Sequence, residues 1–152
     1  MRAILQRVYS ASVIADGVPA GKIGKGLYIL LGVEKNDVRA DAELLATKIS
    51  KLRIFSDENG KMNLSIKDVL GDILVVSNFT LYANYSHGNR PDYFASASPD
   101  IANELYEYFM ECLKCENIHV ESGVFGADMK TELVTDGPVT IVMDSENLKK
   151  GK

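Results

Sequence analysis

Ser77-Asn78-Phe79-Thr80-Leu81 close an apolar run that begins at Asp72. Two hydroxyls and consecutive backbone N–H groups at the end of a buried strand can converge on a carbonyl, as an oxyanion hole does. The same groups can instead do no more than bond neighbouring backbone at a strand end. Other candidates are weaker. Cys112-Leu-Lys-Cys115 has C-x-x-C spacing, but it falls inside an amphipathic helical pattern, and His87 and His119 form no ligand pair. Both cysteines read as helix-packing residues rather than a redox or zinc site. Gly21-Lys-Ile-Gly-Lys-Gly26 follows neither order of a phosphate-binding glycine loop and reads as a connecting turn. His87 is the one histidine placed to act as a base, in a loop where a surface role without chemistry is the simpler reading. No G-x-S-x-G occurs, and adjacent carboxylates such as Asp57-Glu58 lie in solvated settings.

A second unusual element is Gly137-Pro138, between the β-branched runs of "ELVTDGPVTIVMD". Proline has no N–H for a ladder. Asp-Gly between apolar runs is a hairpin signal; the alternative is a rigid, cis Gly-Pro peptide presented to a ligand. The local sequence leaves both open.

The elements that must position these groups are legible in outline. Arg2–Ala15 alternates as a strand, Asp16-Gly17 is a turn, and a short strand runs to Ile23. Leu27–Val33 and Asp72–Leu81 read as strands buried on both faces. Asn36 or Asp37 can cap a helix with Ala40, Leu44, Leu45, Ile49 and Leu52 on one face. A hairpin is expected about Asn59-Gly60. Residues 82–97 form a long loop of the kind that carries function. Ser98-Pro99-Asp100 starts a second helix, with Ile101, Leu105, Phe109, Cys112 and Leu113 inward. "IHVESGVFG", "MKTELVTD" and "VTIVMD" read as strands. The expectation is an α+β fold, a layered sandwich of mixed or antiparallel sheet covered by two main helices.

The chain has 152 residues, 46% hydrophobic and 25% charged, which fits one globular domain over residues 1–152. No apolar run nears the ~20 residues of a membrane helix, no signal-peptide pattern opens the sequence, and two cysteines make no disulfide framework. A cytoplasmic protein without membrane association is expected. Seventeen basic against 21 acidic residues give a net charge of −4. That argues against a bulk electrostatic grip on nucleic acid but leaves a local basic surface open.

Taken together, "SNFTL" and "DGPVT" resemble the paired signatures S-Q-F-T-L and N-x-G-P-V-T of the D-aminoacyl-tRNA (D-tyrosyl-tRNA) deacylases. The resemblance runs in order through "MRAILQRV", "GKGLYILLGVEKND", "KLRIFSDENGKMNLS", "LVVSNFTLYA", "GNRP" and "FGADM". Asn78 stands in place of the usual glutamine, and Thr135 in place of the usual asparagine. The resemblance implies a homodimer with composite active sites that hydrolyses the ester of D-aminoacyl-tRNA, and of glycine mischarged on tRNA-Ala, at the terminal adenosine. It implies Ser77, Phe79 and Thr80 as the catalytic floor, with Asn78 beside them. Phe125 and Met129 would line the adenosine pocket. A cis Gly137-Pro138, with Val139, would reach across the dimer as a gauge excluding L-aminoacyl groups, oriented by Arg7. No metal or cofactor is expected. Whether Thr80 is the nucleophile, or backbone donors and the substrate's 2′-hydroxyl suffice, stays open. A tRNA-binding module without catalysis, or an esterase using Thr80 and His87, are the rival readings.

Overall fold

The computed structural model describes residues 1–151. Its spine is strand β1 (Arg2–Ala15), which turns through Asp16-Gly17 into β2 (Val18–Ile23), followed by β3 (Gly26–Gly32). Helix α1 (Arg39–Lys51) crosses to a small antiparallel hairpin, β4 (Phe55–Ser56) and β5 (Met62–Leu64), closed by Gly60 at φ +73°. Then come β6 (Asp72–Ser77), a single 3₁₀ turn (Phe79–Tyr82), α2 (Pro99–Cys115), β7 (Val120–Ser122), the long β8 (Met129–Asp144) and a short α3 (Ser145–Lys150).

Six strands form one mixed sheet. Along one edge β1 pairs antiparallel with β3 over Arg2–Val8 and with β2 over Ala11–Ala15; along the other it pairs with β8. β6 adds parallel to β3, and β7 parallel to β6. The sheet curls until β2 meets β7: a Cβ on Gly21 would stand 2.7 Å from the Ser122 carbonyl oxygen. Sheet and helices together make the α+β fold, with α1 and α2 as the two main helices; the sheet is nearly closed rather than a flat layer.

The two-residue period of β3 and β6 feeds two cores. Leu27, Ile29, Leu31, Ile73 and Val75 join Leu45, Ile49, Phe109 and Leu113 under the helices. Tyr28, Leu74 and Val76 point into the curl with Val8, Ala11 and Val13. Strands that bury both faces need apolar residues at every position, which is why these read as continuous runs. Each fully buried Leu or Ile contributes about 1.5–3 kcal/mol.

Several expectations need correction. The first residue to flank α1 is Val38, not Asn36 or Asp37; its N–H donates to Asp41 Oδ2 at 3.1 Å, and Asp37 instead accepts from the Glu34 N–H. The buried face of α1 is Ala42, Leu45, Ala46 and Ile49, while Ala40 is exposed. Ile101 is exposed on α2, and Tyr106 takes an inward place that the spacing missed. The strand from Asp72 stops at Ser77, not Leu81. Gly21 to Ile23 belong to β2, so only Gly24-Lys25 remains as the turn before β3.

The Gly-Pro element differs most from a hairpin. Residues 129–135 and 140–144 pair with the same strand, β1, in the same antiparallel sense. Gln6 faces Thr140 and Val8 faces Thr135, so two steps on β1 oppose five on β8. The surplus, Asp136 to Val139, bulges out of the ladder, which accommodates a proline without a donor. The Gly137-Pro138 peptide is cis.

Candidate active site

The end of β6 builds the site. The Asn78 N–H donates to Leu31 O at 2.9 Å, extending the β3–β6 pairing by one bond. The chain then coils into the 3₁₀ turn, and Asn78 caps it: its Oδ1 accepts from the Thr80 N–H at 3.1 Å and from the Thr80 hydroxyl at 2.5 Å. Asn is a favoured cap because a short side-chain oxygen reaches the unpaired N–H groups of the first turn. Gly32 makes room for the turn, since a Cβ there would come within 3.1 Å of Asn78 O and of Leu81 Cβ.

The loop after the turn folds back over it. Asn84 and Asp92 bridge its base, the Ser96 hydroxyl donates to Phe79 O at 3.0 Å, and the Tyr93 ring meets Phe79 edge-on at 5.0 Å. Opposite, Phe125-Gly126-Ala127 turn with Gly126 at φ +77°. Met129 enters from the start of β8 over Gly123, where a Cβ would lie 2.5 Å from its sulfur. Between these walls lies a cavity of about 520 Å³, floored by Ser77, Asn78 and Phe79 and closed behind by Val33, Ala97, Pro99 and Ala102. Tyr106 lies under it, tilted against Phe125, with its hydroxyl donating to Val75 O at 3.0 Å. Burial pushes that phenol up to about 12, which keeps it a neutral donor.

The cavity wall is mostly apolar with a few hydrogen-bonding groups, the make-up of a small-ligand site. Among its described lining residues there is no carboxylate, imidazole, amine or thiol. His87 is not on the wall. Among the described residues no group of three or more His, Cys, Asp or Glu side chains is placed to hold a metal. Cys112 and Cys115 lie instead in a groove beside Glu43 and Thr47 of α1, and burial pushes the Cys112 thiol up, away from reactivity.

Of the residues singled out in the sequence, the cavity gathers Ser77, Asn78, Phe79, Phe125 and Met129. Thr80 is exposed at its edge and does not line it. Arg7, Gly137, Pro138 and Val139 are elsewhere. Arg7 occupies the β1 position opposite the bulge and is 8% exposed. Its Nε donates to Asp136 O at 3.0 Å and pairs with Asp136 Oδ2 at 3.1 Å, while Nη1 donates to Ile54 O at 2.7 Å. A buried guanidinium with five donors in a fixed fork holds the bulge to the sheet. Gly137 and Pro138 themselves are exposed, and Val139 packs against the larger core. The wall residues Tyr93, Ser96 and Ala102 escaped sequence reading. The unusual length of the 82–97 loop was the only signal for the first two.

A cleft with hydrogen-bond donors at a strand end, and no carboxylate, imidazole, amine or thiol among its described wall residues, defines a hydrolase or ligand-binding site that works by placement. The comparisons name the class. The D-Tyr-tRNA(Tyr) deacylase family matches residues 4–144, and the chain belongs to that family. It is 57% identical over 149 residues to a D-aminoacyl-tRNA deacylase of Thermosipho melanesiensis, covering 97% of this chain and 99% of that one. It is 53% identical over 150 residues to one of Dictyoglomus turgidum, covering 99% and 96%. A solved structure of a c-Myc DNA unwinding element binding protein superposes with TM-score 0.87 at 37% identity, over 95% of this chain and 98% of that chain. A probable eukaryotic D-amino acid tRNA deacylase shares the fold at TM-score 0.82 and 16% identity, over 94% and 98%. The protein is a D-aminoacyl-tRNA deacylase, a hydrolase of the aminoacyl ester. No helix among the described residues is long and apolar enough to cross a membrane.

Proposed function

We propose that this deacylase proofreads chirality at a composite site, taking the aminoacyl-adenosine end of tRNA into the cavity of one copy and the Gly137-Pro138 bulge from a second. The observation that carries this reading is the separation of the two halves: the bulge is exposed and braced by Arg7, yet lines no part of its own chain's cavity. It protrudes from β8, which pairs only with β1 among the described strands and exposes Val134 and Val142, an unpaired edge available to a partner. In the assembled site Phe125 and Met129 flank the adenosine, and Ser77, Asn78 and Phe79 floor the ester, with Thr80 beside them. The bulge, with Val139 behind it, stands against the α-carbon. Its first residue carries no side chain, so an L side chain meets fixed backbone while a D side chain points away. Glycine has nothing to clash, so glycyl-tRNA, including tRNA-Ala mischarged with glycine, is also cleaved. The single domain of residues 1–152 acts in the cytoplasm, without a cofactor.

An aminoacyl ester is labile, so oriented water and donors for the developing oxyanion supply enough. The Thr80 hydroxyl spends its proton on an amide oxygen that cannot take it up, which disfavours Thr80 as nucleophile. Thr80→Ala is expected to slow deacylation by on the order of tenfold or less, the weight of one ordinary hydrogen bond. Abolished turnover in a folded protein, with an aminoacyl-enzyme trapped in the wild type, would restore the nucleophile.

The test of the whole reading is turnover of D-tyrosyl-tRNA beside L-tyrosyl-tRNA, with sedimentation of the same sample. Cleavage of the D ester alone by a dimer is expected. An active, D-selective monomer would remove the composite site, and equal cleavage of both esters would remove the gauge.

A further inference from the structure

We infer that the 82–97 loop is a platform on which the unpaired nucleotides preceding the terminal adenosine of tRNA stack, with Tyr85 and Phe94 against the bases and Arg90 at the phosphates; this rests on the deacylase reading of the cavity. Both rings are 77% exposed, more than any other aromatic side chain among the described residues. The loop that carries them is fastened at several points. Asn84 and Asp92 exchange backbone hydrogen bonds of 2.8 and 2.9 Å, and Asn84 Nδ2 donates to Asp92 Oδ2 at 2.9 Å. Further along, the Lys35 N–H donates to Ala95 O at 3.0 Å and the Ala97 N–H to Val33 O at 2.9 Å. The rings therefore stand on a fixed frame, so a ligand that stacks on them has little backbone left to order.

With the terminal adenosine in the cavity, the nucleotides before it must leave across one of its lips, and charge separates the two. One lip is the turn through Gly126, where Asp16 and Asp128 are both exposed and bonded together: the Asp16 N–H donates to Asp128 O and the Asp128 N–H to Asp16 Oδ1. Lys130, two residues on, offsets one of these carboxylates and leaves the lip acidic. The other lip is the loop. Tyr93 and Ser96 are on the cavity wall, and Phe94 is the next residue, about 3.8 Å along the chain. The loop's carboxylate, Asp92, is half-buried and committed to Asn84 and to the Phe94 N–H at 3.2 Å. Arg2, Arg7 and Arg39 are each held by a carboxylate, whereas Arg90 is exposed with no such partner among the described residues. Aromatic faces with a cation at the backbone bind single strands with little regard to sequence. Such a grip needs no large positive field, which suits a chain of net charge −4.

D-tyrosyl-tRNA and D-tyrosyl-adenosine, the same ester without the preceding nucleotides, separate the platform from the cavity. Tyr85→Ala and Phe94→Ala should each lower kcat/KM for the tRNA by about 5- to 150-fold, through KM, the weight of one lost base–aromatic stack. Turnover of D-tyrosyl-adenosine should stay at the wild-type value. Phe94→Trp should keep the tRNA activity and Phe94→Leu should not, because a stack needs a ring. Arg90→Gln should lower the slope of log KM against log salt by about 0.7, the share of one phosphate on a single strand. Equal losses on both substrates would overturn the platform and make the rings part of the cavity wall. Unchanged tRNA kinetics in the Tyr85→Ala, Phe94→Ala double variant would overturn it too, as would variants that sediment as smaller species, which would assign the rings to contact between copies. Each of these leaves the deacylase reading intact. A wild-type chain that cleaves neither ester overturns both.

Discussion

Gly26→Ala should leave the protein unable to fold. Gly26 opens β3, faces Val8 of β1 on one side and pairs with Asp72 of β6 on the other. A Cβ there would stand 1.8 Å from the Asp72 carbonyl oxygen and 2.8 Å from its carbonyl carbon and its nitrogen. These are backbone atoms, fixed by the ladder and by the Asp72 N–H, which donates to Lys25 O at 3.1 Å. No rotamer change relieves such a contact. The strands must part by more than an ångström where Leu27 and Ile73 begin the buried runs on both faces. Ordinary overpacking costs about 1–3 kcal/mol because side chains can shift; here the loss should exceed about 4 kcal/mol, much of the 5–15 kcal/mol available to a domain. Gly24→Ala is the control, with nothing within 4 Å of its Cβ and an ordinary φ. Denaturant unfolding should show Gly24→Ala close to wild type and no cooperative transition for Gly26→Ala. A Gly26→Ala melt within a few degrees of wild type would mean the strand pair is far softer than its register implies.

That parallel pairing also marks the limit of what sequence reveals. The runs at Leu27 and Ile73 are legible because burial on both faces demands an apolar residue at every step. Their adjacency is not, since nothing local in "LYILLG" names "DILVVS" as its neighbour. The α1 start was misplaced for a related reason: Asp37 and Asp41 both offer a carboxylate near the first turn, and the choice depends on Glu34 folding back to Asp37. Ser77–Leu81 read as strand to its end because Thr and Phe suit a strand. What coils it is the pair of bonds that Asn78 Oδ1 accepts from Thr80, together with a glycine on the facing strand. The site's chemistry was easier to see than its walls. Ser77, Asn78 and Phe79 are contiguous, whereas Ser96 and Ala97 arrive through pairing with Glu34 and Val33, far away in the chain.

Gly137-Pro138 shows the same division, and the second large effect falls there. A turn and a bulge have the same local chemistry; the register with β1 separates them, because both flanks of the dipeptide pair with one strand. Gly137→Ala is expected to keep the fold and lose the function. A Cβ on Gly137 would stand 2.1 Å from the Val139 nitrogen, an atom of the bulge itself. The bulge must therefore change path, but its surroundings allow that: Gly137 and Pro138 are exposed, and the ladder from Gln6 to Arg2 and from Val8 to Ala15 does not depend on them. Stability should change by about 1–3 kcal/mol at most. If a second copy presents this segment to the substrate, the carbonyls that stand against the α-carbon are displaced and an added methyl projects from the segment. Placement errors of about 1 Å cost on the order of 10²-fold in rate, so D-tyrosyl-tRNA turnover should fall by at least that factor. The preference for D over L should shrink in the remaining activity, since the excluding surface no longer holds one position. Matched D- and L-tyrosyl-tRNA assays, with a melt to establish folding, decide the matter. A folded Gly137→Ala protein with wild-type turnover and wild-type preference would reduce the segment to a bulge that only interrupts β8.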